Sequence, residues 1–233
     1  MPAHDAIAVF GASGRTGQAL VTAALARGIA VRALYRPPGM PANPPGRLTI
    51  ISGDLRHLAD VERTLRQTRA VACLFGPNRG APEVFCAEAT AIILEAMAAA
   101  GVRRLVCQTG AMIGDGAGGR SWAMERAARM FARQQPALST DRARQEALIM
   151  DSDRDWLIVK PPRLSGRPGR SRLDVGPAVR VGMLSSVGRS ALADVLLAAL
   201  LDPGRPTGRV FVNTPCPILR LPDQELSHGD RHY

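Results

Sequence analysis

Short apolar runs alternate with amphipathic or alanine-rich stretches along most of the chain. Runs typical of buried strands occupy residues 6–10, 30–35, 48–51, 70–75, 104–109, 156–160 and 209–213. Helices are predicted between them at residues 18–27, 60–67, 83–100, 121–134, 139–150 and 189–201. Strands that alternate with helices pair in parallel and are covered on both faces, so this order predicts an α/β fold of the Rossmann type.

The predicted architecture is a single domain over residues 1–221. It contains a doubly wound, mainly parallel sheet and a small C-terminal substrate lobe. A polar tail at residues 222–233 is expected to be loose. With 233 residues and 46% hydrophobic composition, the chain is long enough to bury one large core.

A glycine-rich turn joins the first predicted strand to the first predicted helix. Glycines at this spacing let the backbone turn sharply and let a pyrophosphate approach main-chain N–H groups, while the following helix offers its positive end. Because a strand precedes the turn and a helix and second strand follow it, we interpret the segment as a dinucleotide-binding unit. The predicted cofactor-binding residues in it are Gly11, Ser13, Gly14, Arg15, Thr16 and Gly17.

The end of the second strand indicates which dinucleotide is bound. NAD sites place an acid about 20 residues beyond the glycines, whereas an arginine near that point accommodates the 2′-phosphate of NADP. This chain has Tyr35-Arg36 there, and its next acid is Asp54. Arg36, helped by Arg15, therefore predicts NADP (NADPH) as the cofactor. The alternative is that Arg36 is one more solvated arginine in an arginine-rich chain.

A net charge of +10 raises the question of a nucleic-acid partner. Lys160 is the only lysine, and the arginines are spread along the whole chain instead of forming a basic patch. Aromatic residues make up only 4% of the composition, too few for a base-stacking platform, and no nucleic-acid-binding motif is present. We therefore expect no nucleic-acid partner.

Cysteine usage and hydropathy indicate a cytoplasmic protein. The four cysteines are scattered without a CxxC pair and are expected to be buried thiols, with no metal site. There is no apolar run of 18 residues and no N-terminal signal pattern, so no membrane association is expected. The expected partner is a small-molecule substrate, and the protein is expected to be a monomer or a homodimer.

Six segments together resemble a known enzyme group. They are residues 11–17, Tyr35-Arg36, Gly53-Asp54-Leu55, Leu74-Phe75-Gly76 with Arg79, residues 99–106 and residues 156–166. In combination they are similar to the atypical short-chain dehydrogenases/reductases, specifically the NmrA-like group that includes biliverdin-IXβ/flavin reductase. The resemblance covers about residues 5–215 and implies an NAD(P)-binding Rossmann fold.

The resemblance also implies roles for residues beyond the glycine turn. Asp54 and Leu55 would hold the adenine, Gly76 would lie against the adenine ribose, and Arg79 belongs to the same cofactor-binding set. Pro162, Arg163 and Leu164 would border the nicotinamide.

Two residues are candidates for contact with the substrate. In this group the fifth strand ends in a hydroxyl residue that hydrogen-bonds a substrate carbonyl. Thr109 provides that hydroxyl here, although Gly110 is the alternative occupant of the position. Arg163 either binds a carboxylate or phosphate of the substrate or is an exposed arginine without a ligand.

The sequence departs from mainstream short-chain dehydrogenases in lacking their Tyr-x-x-x-Lys pair, in which the tyrosine donates the proton. Only Tyr35 and Tyr233 are present, and the predicted helix carries Leu138 and Arg142 at the two positions. We therefore expect an NADPH-dependent reductase that transfers hydride to a flat conjugated acceptor such as a flavin or quinone, with solvent as the proton source. The alternatives are a non-catalytic NADP-binding redox sensor and an NAD(P)-dependent epimerase.

Overall fold

The computed structural model describes residues 6–37, 46–76, 84–116, 118–166, 172–202, 204 and 207–214. The predicted cofactor residue Arg79 and the predicted tail at residues 222–233 lie outside these ranges. Within them, no helix combines the length and the hydropathy needed to cross a bilayer.

Strands and helices alternate as the hydrophobic pattern predicts. The strands are β1 (Ala6–Phe10), β2 (Ala30–Tyr35), β3 (Leu48–Ser52), β4 (Thr68–Cys73), β5 (Arg104–Gln108), β6 (Asp155–Lys160), β7 (Arg163–Ser165), β8 (Asp174–Gly176), β9 (Ser186–Gly188) and β10 (Gly208–Asn213). The helices are α1 (Arg15–Ala26), α2 (Leu58–Leu65), α3 (Cys86–Ala99), α4 (Trp122–Gln134), α5 (Pro136–Met150) and α6 (Arg189–Leu201).

Eight strands form one twisted sheet in the order β3-β2-β1-β4-β5-β6-β10-β8. All neighbouring pairs are parallel except β10 with β8, which closes one edge antiparallel. The chain runs outward from β1 to β3 and then returns to place β4 on the other side of β1. This reversal leaves a crevice at the carboxyl ends of β1 and β4, where ligands of such sheets bind.

The core lies in two layers, one on each face of the sheet. One layer packs α1 and α6 against the sheet, and the other packs α2, α3 and α5 against the opposite face. Every residue of β1 is buried, as expected for a central parallel strand covered on both sides. The rigid carboxyl edge of this sheet is what positions the groups described below.

The predicted fold class is confirmed, and the differences lie at element ends and in three short strands. Helix α1 begins at Arg15 instead of residue 18, because Thr16 and Gly17 already belong to its first buried turn. Strand β4 ends at Cys73 instead of residue 75, so Leu74 and Phe75 belong to the crevice. The three-residue strands β7, β8 and β9 were not predicted, since segments this short carry no periodic signal.

Candidate functional site

Two adjoining cavities are lined by residues that follow the carboxyl ends of the central strands. The first has a volume of about 140 Å³ and the second about 580 Å³. Leu74, Phe75 and Gly76, directly after β4, line both cavities. The two cavities therefore adjoin along this segment of the chain.

The glycine turn is shaped by close backbone packing. Gly11 has φ +88°, and a Cβ there would lie 2.6 Å from the main-chain nitrogen of Phe75. A Cβ on Gly17 would lie 2.7 Å from the Cα of Ala12. Only glycine fits at these two positions, because the first approaches the neighbouring strand end and the second allows α1 to begin directly above the turn.

The N-terminus of α1 is open toward the first cavity. Its N-cap is Gly14, which has no side chain to accept a hydrogen bond and which lines the cavity with Gly11 and Ser13. No acidic residue occupies the first turn of α1. The first N–H groups and the positive end of the helix dipole are thus available to an anion such as a pyrophosphate, and the residues present fit that group.

Two arginines lie at helix N-termini, where the positive end of the helix dipole disfavours a cation. Arg15 is the first residue of α1 and Arg189 is the first residue of α6. The pKa of Arg189 is lowered, mainly by burial and further by the nearby guanidinium of Arg15. Two cations close together at helix N-termini are unfavourable without an anion between or beside them. Arg189 was missed from the sequence, although an arginine at the start of a helix is a readable signal.

The part of the first cavity beside the carboxyl ends of β2 and β3 is lined by charged and aromatic side chains. Arg36 and Asp54 form a loose ion pair with 4.0 Å between Nη1 and Oδ2, and the Arg36 side chain is 60% exposed. Leu55 lies beside them, and Phe75 and Phe85 stack with ring centroids 5.9 Å apart. Phe85 was not predicted from sequence. The exposed Arg36 is free to turn toward a phosphate at small cost, because its present partner is distant.

The predicted cofactor residues described so far fall in three places. Those that line the first cavity are Gly11, Ser13, Gly14, Arg36, Asp54, Leu55 and Gly76. Thr16 and Gly17 instead lie buried in the first turn of α1. Pro162 and Leu164 line the second cavity, so the structure separates the two ends of the predicted site along the crevice.

The second cavity is wide and mainly apolar. Thr109 and Gly110 both line it, so both alternatives for the hydroxyl position face the same space. Arg163 also lines it and is exposed. Met112 and Met124 also belong to its wall. A volume near 580 Å³ matches a site for a small organic molecule.

Thr109 belongs to a buried hydrogen-bonded group that sequence reasoning missed. Its hydroxyl donates to Oε1 of Glu146 over 2.6 Å, and the ammonium of Lys160 donates to both Glu146 oxygens over 2.8 and 2.7 Å. The Lys160 side chain is 0% exposed and that of Glu146 is 2% exposed. Burial lowers the pKa of Lys160, and the Glu146 carboxylate opposes that shift. The single hydroxyl proton of Thr109 is therefore directed away from the cavity.

The loop after β5 is held by a buried arginine. Arg120 donates to the main-chain oxygens of Ala111, Ile113 and Gly114 and forms an ion pair with Glu125 at 2.9 Å. Its side chain is almost wholly buried. These hydrogen bonds hold the main chain of a segment that lines the second cavity, so the described part of this loop is fixed in position.

No tyrosine, histidine, lysine or acid is among the residues that line the second cavity in the described part of the chain. Its ionisable groups are Arg142 and Arg163, and neither is a proton donor near neutral pH. The position that carries tyrosine in mainstream short-chain dehydrogenases falls at Leu138, which lines the cavity. The described wall therefore offers a ligand apolar contacts and positive charge, but no side chain that acts as an ordinary acid.

Comparison with known proteins also indicates a dinucleotide-binding protein. The chain matches the model of a family described as NAD(P)H-binding over residues 11–203. A short-chain dehydrogenase/reductase from Veillonella parvula, solved in complex with NADP, has a TM-score of 0.74 at 16% identity, covering 91% of this chain and 95% of that chain.

Two further solved structures share the fold. An anaerobilin reductase from Escherichia coli O157:H7 has a TM-score of 0.72 at 18% identity, with 90% of this chain and 97% of that chain covered. A proposed epimerase from Bacteroides thetaiotaomicron has a TM-score of 0.73 at 20% identity, with 91% and 97% covered. These likenesses confirm the resemblance to atypical short-chain dehydrogenases/reductases at the level of fold. With the family match covering most of its length, this chain belongs to the NAD(P)H-binding family.

Proposed function

We propose that this protein is an NADPH-dependent reductase that transfers hydride to a flat, conjugated small molecule. The observation that carries the proposal is that the two cavities adjoin and share Leu74, Phe75 and Gly76 as lining residues. One end is built for a dinucleotide, and the other is a wide apolar space of a size suited to a planar ring system. When bound, a reduced nicotinamide supplies the hydride.

The chain's own residues would hold the cofactor along the crevice. The open N-terminus of α1, with Arg15 and Arg189 beside it, would bind the pyrophosphate. Arg36 would bind the 2′-phosphate, which favours NADPH over NADH. Pro162 and Leu164 would border the nicotinamide, and the reactive ring would then lie at the second cavity.

The second cavity would act through positioning and charge. Its apolar wall excludes water and holds a planar acceptor against the cofactor, which raises the rate by orientation. Thr109 contributes little as a donor, because its proton is engaged by Glu146. The proton that completes reduction would come from solvent, since the described wall contains no ordinary acid.

A second candidate is a redox sensor that binds NADP without turning it over. The absence of an acid among the described lining residues favours this alternative. An NAD(P)-dependent epimerase is less well supported, because epimerisation requires an acid–base group at the substrate carbon. A conjugated acceptor does not require one, and for this reason the reductase is preferred.

The deciding experiment is NADPH oxidation measured with a panel of flavins and quinones. We expect turnover with at least one acceptor and a smaller rate with NADH at equal concentration. Arg163→Ala is expected to change which acceptors are used, with the largest change for anionic ones. Tight NADPH binding without turnover of any acceptor would reject the reductase and support the sensor.

A further inference from the structure

The second cavity contains a buried guanidinium that the proposed cofactor site does not use. Arg142, on α5, lines this cavity and is 6% exposed. The other charged residue in the described wall, Arg163, is exposed at its edge. A buried positive charge is costly unless a partner compensates it, so the identity of the groups that contact Arg142 matters.

The hydrogen-bond partners of Arg142 are all neutral. Its Nη1 donates to the main-chain oxygen of Phe75 over 3.2 Å and to Oε1 of Gln145 over 2.7 Å, and its Nη2 donates to the main-chain oxygen of Gln108 over 3.0 Å. Among the described residues, no carboxylate lies within 4.0 Å of this guanidinium. The cavity therefore carries a positive charge without a close counter-charge.

The neighbouring acid is already engaged elsewhere. Asp141 precedes Arg142 on α5, but its two carboxylate oxygens accept from the main-chain N–H groups of Cys86 and Ala87 over 2.9 and 3.0 Å. This arrangement caps α3 and does not pair with Arg142. By contrast, the buried Lys160 has Glu146 as a direct partner at 2.7 Å. Of these two buried cations, only Lys160 has a carboxylate of its own.

Donor capacity remains on the guanidinium. Three of its five N–H groups donate to the oxygens named above, and the guanidinium opposes the rise that burial causes in the pKa of the Cys86 thiol. The adjacent Gln108 also lines the cavity, and its side-chain oxygen Oε1 is buried without a hydrogen-bond partner among the described residues. At this corner of the cavity, Arg142 and Gln108 therefore have hydrogen-bonding capacity that the described residues do not use.

We propose that Arg142 binds the oxygen of the acceptor on which negative charge resides during reduction. The inference rests on the proposed reductase function and specifies its substrate class. The acceptor is a planar conjugated carbonyl compound whose reduced form is an oxyanion, as for a quinone or a flavin.

The electron balance assigns Arg142 its role. Hydride transfer gives the acceptor two electrons and one hydrogen, and the reduced nicotinamide is thereby oxidised. The conjugated carbonyl oxygen of the acceptor takes up the negative charge, which Arg142 stabilises as a fixed cation in a low-dielectric cavity. A proton from water neutralises that oxygen afterwards. A permanent cation thus replaces the acid that the cavity wall lacks.

The test uses two matched probes with the protein saturated by NADP+, so that no turnover occurs. The probes are 2-hydroxy-1,4-naphthoquinone, which is ionised at neutral pH, and its neutral 2-methoxy analogue. Calorimetric titration of wild type should show tighter binding of the anionic probe by roughly tenfold to a hundredfold. Arg142→Gln should remove most of that preference, and Arg142→Lys should keep part of it.

Three controls separate this role from a purely structural one. Arg144→Gln changes an exposed arginine on the same helix and should retain the full preference. Arg163→Gln tests the exposed arginine at the cavity edge, which also favours anionic ligands but should remove a smaller part of the preference than Arg142→Gln does. The affinity for NADP+ and the melting temperature should be measured for every variant, because Arg142 also ties together the ends of β4 and β5.

The outcomes are distinct. Equal weakening of both probes in Arg142→Gln would show a structural role only and would overturn the proposal. So would loss of the preference in Arg163→Gln together with its retention in Arg142→Gln. Should Arg142→Gln and Arg142→Lys not fold, the absence of any anionic preference in wild type overturns the proposal, and its presence in both wild type and Arg163→Gln supports it. Because these are binding measurements, they stand even when no acceptor is turned over, a result that would reject only the reductase.

Discussion

The two ends of the crevice use charge in opposite ways. At the cofactor end, Arg36 is 60% exposed and its ion pair with Asp54 spans 4.0 Å. Beside the second cavity, which is called the acceptor end after the proposed function, Lys160 and Glu146 are almost fully buried and are joined at 2.7 Å. The first pair is loose and available to a ligand, whereas the second is a fixed part of the protein.

The difference fits the roles proposed for the two ends. A dinucleotide brings its own charges, so exposed arginines and an open helix N-terminus would bind it without desolvating the protein beforehand. The proposed apolar acceptor would bring few groups that could hold the cavity wall in place. The wall of the second cavity is therefore held by internal bonds from Arg120 and Lys160 to main-chain oxygens. Substitutions at the two ends should accordingly affect different properties, ligand affinity at one and stability at the other.

The largest expected effect is on stability at the acceptor end. Glu146→Gln leaves the Lys160 ammonium buried without a carboxylate and should cost about 3–5 kcal/mol in the free energy of unfolding. The matched control is Asp194→Asn in the exposed pair with Arg27, where a cost of about 1 kcal/mol or less is expected. Urea unfolding measures both. Equal small costs would remove the contrast between buried and exposed pairs.

The next effect is on cofactor binding. Gly14→Val should reduce NADPH affinity by about a hundredfold or more, because the side chain occupies the space that the pyrophosphate needs at the helix N-terminus. The fold should persist, since φ of Gly14 is −72° and its Cβ would meet only the oxygen of Gly11, at 3.2 Å.

Circular dichroism checks that the Gly14 variant is folded. Gly182→Ala serves as the control away from the glycine turn, because its Cβ would meet only Ser121 Oγ, at 3.6 Å. Normal NADPH binding by the Gly14 variant would show that the glycine segment is only a turn and does not bind the pyrophosphate.

A smaller effect concerns the choice between NADPH and NADH. Arg36→Ala removes a charge-assisted contact to the 2′-phosphate, which is worth on the order of 1.5–3 kcal/mol, or roughly tenfold to a hundredfold in affinity. The ratio of the two dissociation constants should fall by that factor. Arg69→Ala, at an exposed position on β4, should leave the ratio unchanged. An unaltered ratio in the Arg36 variant would mean that another residue binds the phosphate.

The smallest effect is expected at Thr109. Thr109→Ala should lower turnover by an amount equivalent to about 0.5–1.5 kcal/mol, because a neutral hydrogen bond between this hydroxyl and a substrate carbonyl is worth no more. The hydroxyl proton is in any case already donated to Glu146. NADPH affinity should not change, and Thr109→Ser should restore turnover. A loss of several hundredfold would instead make this hydroxyl an essential donor.

Much of the cofactor end was predictable because its determinants are local. Seven consecutive residues form the glycine turn, and the strand and helix beside it have regular hydrophobic patterns, so the geometry follows from backbone sterics. Arg36 and Asp54 follow strands whose carboxyl ends must meet at one edge. Their place beside the first cavity therefore follows from a parallel sheet.

The acceptor end was predicted only in part, because its determinants are distant in sequence. Glu146 and Lys160 lie on α5 and β6, and nothing in either segment indicates that their side chains meet. Arg142 was identified only as the occupant of a missing lysine position, and its burial depends on the packing of α5 against the ends of β4 and β5. Residues predicted by resemblance, such as Pro162 and Leu164, do line the cavity, but their roles stay predictions.

The alternation of strands and helices, the parallel sheet and the dinucleotide-type turn follow from the amino-acid sequence alone, because they depend on periodicity and on backbone conformations that few residues permit. The pairing of the buried charges became visible only in the folded structure. It showed that the Thr109 proton points to Glu146, that Arg15 and Arg189 come together, and that Arg142 remains without a carboxylate in the described part of the chain. These features depend on distances between side chains that are far apart in the chain, and such distances are set only when the helices pack onto the sheet.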